Sequence, residues 1–83
     1  GDALFVENVA LLPAFQGRGL ARWLFEALNK RAQQAELVRI KLYTNAAMHE
    51  NLALYPKLGF HVTGTRVENG FNRIYFEKRV HRP

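Results

Sequence analysis

The spacing of hydrophobic residues changes several times along this chain, and each change marks a predicted element. Apolar residues at positions 4–6 and 9–12 are dense and partly alternating, which is typical of a strand. Further along, apolar residues recur at the three- and four-residue spacing of a helix. These helical positions are Leu20, Trp23, Leu24, Ala27 and Leu28. The period changes across a short segment that contains Gly17 and Gly19, so we expect a turn there.

A second strand and a second helix follow in the same way. Residues 38–45 alternate as a strand, and residues 46–58 have the pattern of a short helix that stops at Gly59 and Phe60. Glycine tolerates the left-handed conformation that commonly ends a helix, and the next apolar residue then packs back on the last turn. We therefore expect Gly59 to end this helix.

The last part of the chain has the pattern of a hairpin. Residues 61–67 and 71–80 alternate, and Asn69-Gly70 between them suits the tight turns that need positive φ values. One face of the return strand carries Ile74, Phe76 and Val80. The resulting order is strand, helix, strand, helix, strand, strand. It predicts an α/β (α+β) fold with a mixed sheet and an antiparallel pair at its end.

The two glycines of the first predicted turn leave the backbone uncovered by side chains at the start of a helix. Without a Cβ, Gly17 and Gly19 let a phosphate approach the main chain, and the helix start offers unpaired N–H groups and the positive end of the dipole. This predicts a pyrophosphate site. A Walker loop would need Gly-Lys-Ser/Thr, which is absent. A dinucleotide fingerprint would need a small residue where Arg22 stands.

Two motifs together carry a family resemblance. Gln16, Gly19 and Ala21 form Gln-x-x-Gly-x-Ala, which resembles the coenzyme A loop of the GNAT family of N-acetyltransferases. The segment of residues 51–60, Asn-Leu-Ala-Leu-Tyr-Pro-Lys-Leu-Gly-Phe, resembles the Leu-Tyr-x-x-x-Gly-Phe signature that follows this loop in the same family. The resemblance covers residues 4–80. The simpler alternative for the first motif alone is a turn in which the glycines serve only the backbone.

The resemblance implies a set of coenzyme contacts. Backbone groups at the end of the first strand would hold the pantetheine arm, at Val9, Ala10 and Leu11. The loop and first helical turn would hold the pyrophosphate, at Gln16, Gly17, Arg18, Gly19, Leu20, Ala21 and Arg22. Relatives commonly place an asparagine seven residues before the motif tyrosine, where this chain has Met48. Asn45 and Asn51 flank that position, and Asn51 is the remaining coenzyme-binding candidate.

The resemblance also implies a reaction. An acetyl group would pass directly from acetyl-CoA to a primary amine of a small molecule or peptide, with no covalent enzyme intermediate. Tyr55 would be the general acid that protonates the leaving thiolate, whereas a core-edge aromatic is the structural alternative. Glu7 shares strand parity with Val9 and Leu11, so it is a candidate general base, acting directly or through water. A salt-bridged or simply exposed Glu7 is equally compatible with the sequence.

Chain length affects this interpretation. The 83 residues form one domain at most, and the resemblance implies that residues 1–83 are the truncated C-terminal half of a GNAT domain. Residues 4–12 would then be a sheet edge without its neighbour. An apolar edge favours pairing with another chain, so we expect a homodimer through this strand. The fragment alone is expected to be inactive, because the acceptor wall would lie upstream.

Composition and charge limit the kinds of site and partner that we expect. Cysteine is absent, and the three histidines lack ligand spacing, so we predict no disulfide and no metal. No apolar run could span a bilayer, and we expect a cytoplasmic protein without a membrane partner. The net charge of +5 comes from dispersed basic residues, which does not favour nucleic acid. The alternatives to catalysis are a non-catalytic acyl-CoA or nucleotide binding module and a basic nucleic-acid-binding domain.

Overall fold

The computed structural model describes residues 2–6 and 20–82, which form four strands and two helices. In chain order these are β1 (Ala3–Val6), α1 (Leu20–Gln34), β2 (Arg39–Asn45), α2 (His49–Lys57), β3 (His61–Glu68) and β4 (Phe71–Arg79). The predicted order of elements and the α+β class are confirmed. Neither helix in this described part is long and apolar enough to cross a membrane.

The strands form one mixed sheet in the order β1-β2-β4-β3. β1 and β2 are parallel, with Val6 opposite Leu42, whereas β4 is antiparallel to both β2 and β3. The predicted antiparallel pair at the end of the sheet is therefore confirmed. Among the described strands, β1 and β3 lie at the two edges. Pairing of two copies through β1 stays a prediction.

Both helices pack on the same face of the sheet. The rings of Phe25 on α1 and Tyr55 on α2 are 6.2 Å apart, and the Tyr55 ring lies 5.2 Å from Phe76 on β4. Alternate residues of β2, Ile40 and Leu42, are buried beneath them. The hydrophobic core consists of Phe25, Ala32, Ile40, Leu42, Tyr55, Leu58, Phe60, Phe76 and Val80. The core therefore lies between the helices and one face of the sheet.

The buried face of α1 agrees in part with the predicted apolar stripe, since Leu24 and Leu28 pack against the core. Trp23 is 64% exposed and Ala27 is exposed, although both belong to the helical spacing in the sequence. Phe25 and Ala32 are buried instead, at 4% and 0% exposure. The physical reason is the position of the partner rings, because Phe25 packs against Tyr55 and Phe60. The spacing of apolar residues indicates which residues share a face of the helix, but it does not fix how the helix is rotated against the sheet.

Helix α2 begins three residues later than the pattern predicted. The backbone N–H of Ala47 donates to Asn45 Oδ1 at 2.8 Å, which stabilises a turn before the helix. Met48 follows with non-helical angles, φ −86° and ψ 74°, and α2 starts at His49. The Asn45 side chain thus satisfies the backbone N–H of Ala47 within this turn.

The end of α2 agrees with the prediction for Gly59. Its φ is +98°, and its N–H donates to the Pro56 carbonyl at 3.1 Å. The N–H of Phe60 donates to the Tyr55 carbonyl at 3.1 Å, which completes a Schellman motif. Pro56 lies inside the last turn without breaking it, and the helix ends one residue later, at Lys57. Phe60 is buried against the Tyr55 ring, at 6.0 Å between centroids.

The predicted hairpin is also confirmed. Asn69 and Gly70 form its two-residue turn with φ values of 52° and 78°. Two positive values in succession match the twist of the flanking strands. Between Val62 and Gly64 the pairing with β4 shifts by one residue, so β3 contains a bulge near its start. Bulges of this kind interrupt a regular edge and so oppose strand addition there.

Replacing Gly59 should destabilise the fold through its backbone angle. We expect Gly59→Ala to lower the free energy of unfolding by about 1–2 kcal/mol, because a Cβ opposes the left-handed conformation. The matched control is Gly64→Ala, since Gly64 has no positive φ and a Cβ there would meet no atom within 4 Å. Urea unfolding of both variants measures the difference. Equal losses would contradict the role of Gly59.

Candidate active site

The start of helix α1 is the described part of the predicted coenzyme site. The helix begins at Leu20, and its first turn contains no acidic residue. The Arg22 side chain lies exposed in that turn. Unpaired N–H groups, the positive end of the helix dipole and a nearby cation together favour an anion at this position. The arrangement of α1 is therefore compatible with pyrophosphate binding.

Several predicted site residues lie outside the described part of the chain. They are Glu7, Val9, Ala10, Leu11, Gln16, Gly17, Arg18 and Gly19. Leu20 and Ala21 are described as the first residues of α1. The roles of all these residues stay predictions. Tyr55, Asn51 and Arg22 are the predicted site residues whose surroundings can be described.

Tyr55 lies at the centre of the core. Its side chain is fully buried on α2, and its ring contacts three aromatic rings from three different segments. The distances between centroids are 6.2 Å to Phe25, 6.0 Å to Phe60 and 5.2 Å to Phe76. The Phe25 and Phe76 rings meet it edge to face, which is a favourable geometry for aromatic pairs. The position of the Tyr55 ring is therefore closely fixed.

The hydroxyl of Tyr55 differs from its ring in having no protein partner in the described structure. Among residues 2–6 and 20–82, it is a buried side-chain polar atom without a hydrogen bond. Burial raises the pKa of Tyr55 far above its usual range, so the hydroxyl keeps its proton at neutral pH. A buried donor without a partner costs free energy. Such a hydroxyl is suited to donate to a bound ligand.

A buried polar cluster lies one helical turn before Tyr55. Asn51 Nδ2 donates to Thr44 Oγ1 at 3.2 Å, and the Thr44 hydroxyl donates to Met48 Sδ at 3.6 Å. Thr44 and Asn51 are 2% and 0% exposed. These contacts connect the end of β2 to the first turn of α2. The described contacts of Asn51 are therefore with protein groups, and its contact with a coenzyme stays a prediction.

Sequence reasoning overlooked Thr44. Its position in the sequence could have indicated that it is buried, because Thr44 follows Ile40 and Leu42 on the inward side of an alternating strand. A polar residue at an inward position needs a hydrogen-bonding partner. The partner is Asn51, seven residues away in the chain.

Tyr75 provides a contrast on the opposite face of the sheet. Its hydroxyl donates to Glu68 Oε1, and Arg73 Nη1 lies 3.4 Å from Glu68 Oε2. The hydrogen bond to Glu68 is the main cause that raises the pKa of Tyr75. The Tyr75 ring also contacts Tyr43, at 5.4 Å between centroids. Tyr75 therefore has its own partners and lies apart from the core that holds Tyr55.

Comparison with known proteins identifies a family for this arrangement. A model of the acetyltransferase (GNAT) domain matches residues 1–62. The uncharacterized N-acetyltransferase YdgE of Bacillus subtilis (strain 168) is 32% identical over 63 residues. This match covers 76% of the chain and 40% of YdgE. The chain therefore spans less than half the length of this curated relative.

Solved structures share the fold. Nourseothricin acetyltransferase matches with a TM-score of 0.85 and 18% identity, over 96% of this chain and 51% of that protein. A GNAT family acetyltransferase from Elizabethkingia anophelis, crystallised with acetyl-CoA bound, matches with a TM-score of 0.79 and 22% identity. That match covers 94% of this chain and 61% of the other. At these identities the likeness concerns the fold.

Burial of Tyr55 predicts a pH dependence of stability. The unfolded chain releases the tyrosine proton near pH 10, whereas the folded protein holds it to higher pH. The associated stabilisation is present below about pH 10 and is lost as the pH rises further. We expect urea unfolding to show a steeper loss of stability above about pH 10 in the parent than in Tyr55→Phe. Identical profiles would show that Tyr55 ionises equally in both states.

Proposed function

Because the chain belongs to the acetyltransferase (GNAT) domain family, we propose that it is the coenzyme-binding part of an N-acetyltransferase. The reaction moves an acetyl group from acetyl-CoA to a primary amine of a small molecule or peptide. The observation that carries this proposal is the Tyr55 hydroxyl, which is buried, protonated and unpartnered among the described residues. It lies on the helix that carries the second family motif.

The proposed coenzyme position uses the start of α1. Main-chain donors from Gly17 to Ala21 hold the pyrophosphate, Arg22 adds a cation, and Val9 to Leu11 hold the pantetheine arm. The absence of acidic residues from the first turn of α1 supports an anion there. Acetyl-CoA bound to a protein of similar fold also supports it. Asn51 and Gln16 complete the proposed coenzyme contacts.

The proposed chemistry is direct attack by the neutral amine on the thioester carbonyl. The C–N bond forms, the C–S bond breaks, and the sulfur leaves as a thiolate. Tyr55 transfers its hydroxyl proton to that thiolate, and the acceptor nitrogen loses one proton to the base as the amide forms. Passage of that proton from the base to Tyr55 through solvent restores both groups. Burial raises the pKa of Tyr55 and so makes its hydroxyl a weaker acid, and the same desolvation raises the proton affinity of the thiolate, which offsets this effect. Glu7 is the proposed base for the amine.

The family motifs do not identify the amine acceptor, so we propose only a broad chemical class for the acceptor. Nourseothricin acetyltransferase, whose fold matches this chain, is named for nourseothricin. Residues outside this chain would supply part of the acceptor site, since the chain spans about half of that protein. A non-catalytic coenzyme-binding module is the alternative outcome, and binding without turnover in any form of the protein would support it.

Gly19→Asp should abolish binding of acetyl-CoA. The substitution places bulk and negative charge against the proposed pyrophosphate position. Its matched control is Gly64→Asp, which adds the same charge at a strand position where a Cβ meets no atom within 4 Å. Isothermal titration calorimetry measures binding, and thermal unfolding verifies both folds. If Gly19→Asp binds within about threefold of the parent, the proposed loop contact is wrong.

Tyr55→Phe should separate chemistry from binding. Loss of a general acid lowers the chemical rate by about 10²-fold or more, while coenzyme affinity changes little. The assay uses the longest form of the protein that turns over acetyl-CoA, in single-turnover mode. Tyr75→Phe is the control, because it removes a hydroxyl whose described partner is Glu68 on the opposite face. An unchanged rate for Tyr55→Phe would make Tyr55 purely structural.

A further inference from the structure

A buried hydrogen bond joins the start of helix α2 to the end of strand β2. Asn51 Nδ2 donates to Thr44 Oγ1 at 3.2 Å, and both side chains are buried. Thr44 lies on β2 two residues beyond Leu42, which pairs with Val6 at the end of β1. Asn51 belongs to the first turn of α2. The bond therefore joins α2 to the sheet near the carboxyl ends of the parallel strands β1 and β2.

Thr44 is the centre of a small polar network. Its hydroxyl accepts from Asn51 and donates to Met48 Sδ at 3.6 Å, and Asn51 Nδ2 also lies 3.7 Å from that sulfur. A thioether is a weak acceptor, so the bond between Asn51 and Thr44 is the strongest of these three contacts. Met48, which precedes α2, makes no capping hydrogen bond with its side chain in the described structure. Thr44 therefore holds the start of a helix that lacks a side-chain cap.

The stability of the fold does not by itself account for this polar pair. In the described part of the chain, Thr44 and Asn51 are polar residues buried beside an apolar core. A buried hydrogen bond contributes little net free energy, and an apolar pair of the same shape can be equally stable. Hydrogen bonds are directional, whereas hydrophobic contact is not. The pair therefore fixes where α2 lies on the sheet more than it stabilises the protein.

The position of α2 determines the position of Tyr55. Tyr55 follows Asn51 by four residues, so the two side chains share the buried face of the helix. At 1.5 Å per residue, they are about 6 Å apart along the helix axis. The aromatic rings around Tyr55 confine its ring, but these apolar contacts permit small shifts along the axis that a hydrogen bond does not. A displacement of Asn51 is therefore transmitted to the Tyr55 hydroxyl.

We propose that Thr44 is a positioning residue for Tyr55. By holding Asn51, it fixes the distance between the Tyr55 hydroxyl and the sulfur of the coenzyme. The inference rests on the proposed function, in which Tyr55 is the general acid. A proton donor must lie within hydrogen-bond reach of its acceptor, and a misplacement of about 1 Å can lower the rate by about 10²-fold. Thr44 acts through α2 and not on the substrate itself.

The test removes the Thr44 hydroxyl while the shape of the side chain is kept. Thr44→Val lacks the hydroxyl, whereas Thr44→Ser retains it and loses only a methyl group. The matched control is Thr63→Val, because Thr63 is an exposed strand residue whose hydroxyl donates to the Tyr75 carbonyl at 3.4 Å. The assay is single turnover in the longest form of the protein that turns over acetyl-CoA. Calorimetry measures coenzyme binding, and thermal unfolding verifies each fold.

We expect Thr44→Val to lower the single-turnover rate by about tenfold, because α2 keeps its apolar contacts but loses the bond that orients it. Coenzyme affinity should change by less than about threefold, since Asn51 itself is retained. Thr44→Ser should restore the rate to within about twofold of the parent, and Thr63→Val should have no larger effect. An unchanged rate for Thr44→Val, or an equal loss in Thr44→Ser, would overturn the positioning role.

A double-mutant cycle with Tyr55→Phe separates positioning from a general effect on the fold. If Thr44 acts through the Tyr55 hydroxyl, Thr44→Val should cause little further loss of rate in protein that already carries Tyr55→Phe. A loss of about tenfold in both backgrounds would show that Thr44 acts independently of that hydroxyl, and this would overturn the proposal. If Thr44→Val does not fold, Thr44→Ala takes its place in the same cycle.

The results distinguish this inference from the proposed function. A large loss for Tyr55→Phe combined with an additive cycle would overturn the role of Thr44 and leave Tyr55 as the general acid. An unchanged rate for Tyr55→Phe, or coenzyme binding without turnover in every form of the protein, would overturn both.

Discussion

The Tyr55 ring meets one phenylalanine from α1, one from the segment after α2 and one from β4, and these contacts join the two helices to the sheet. Each aromatic pair contributes about 0.5–1.5 kcal/mol beyond the burial of its area. Because a small domain buries only a modest fraction of its surface, a cluster of this kind matters for its stability.

This cluster gives one residue two separable properties. The Tyr55 ring supports the fold, while its hydroxyl has no partner among the described residues and carries an energetic cost. Such a cost is characteristic of functional sites, where a polar group is held ready for a ligand at the expense of stability. The rigid ring would then place the proton donor without a further hydrogen bond to orient it.

The two faces of the sheet are stabilised by different interactions. The helix side is apolar apart from the Thr44 and Asn51 pair, which satisfies its own polar groups. On the other side, the tilted rings of Tyr43 and Tyr75 lie 5.4 Å apart on neighbouring strands, and Arg73 lies over the Tyr43 ring at 4.5 Å. The ion pairs of Glu77 with Arg39 and Lys41 are partly exposed, so they add little to stability. Most of the folding free energy must come from the helix side.

Local rules made much of the fold predictable. Asn69-Gly70 predicted the hairpin because few residues accept two positive φ values, and Gly59 predicted the end of α2 for the same reason. The two motifs indicated the family because they occur in the family's order, and each lies next to a helix that the hydrophobic spacing predicts. Helix limits were less accurate, since α2 starts at His49 after a turn in which Asn45 accepts a hydrogen bond from the Ala47 N–H, and hydrophobic periodicity does not predict such a turn.

Contacts between residues distant in the chain were decided only by the tertiary structure. The sequence by itself determined the order of elements and the turns, and it supplied the candidate site residues Arg22, Asn51 and Tyr55. Which side of α1 faces the core depended on rings that lie about thirty residues away or more, so Phe25 is buried and Trp23 exposed. Likewise, Lys30 on α1 and Lys78 on β4 line one groove although they are 48 positions apart in the chain. Periodicity and local propensity act within a segment, whereas burial, pairing of polar groups and convergence of charge depend on how the segments pack together.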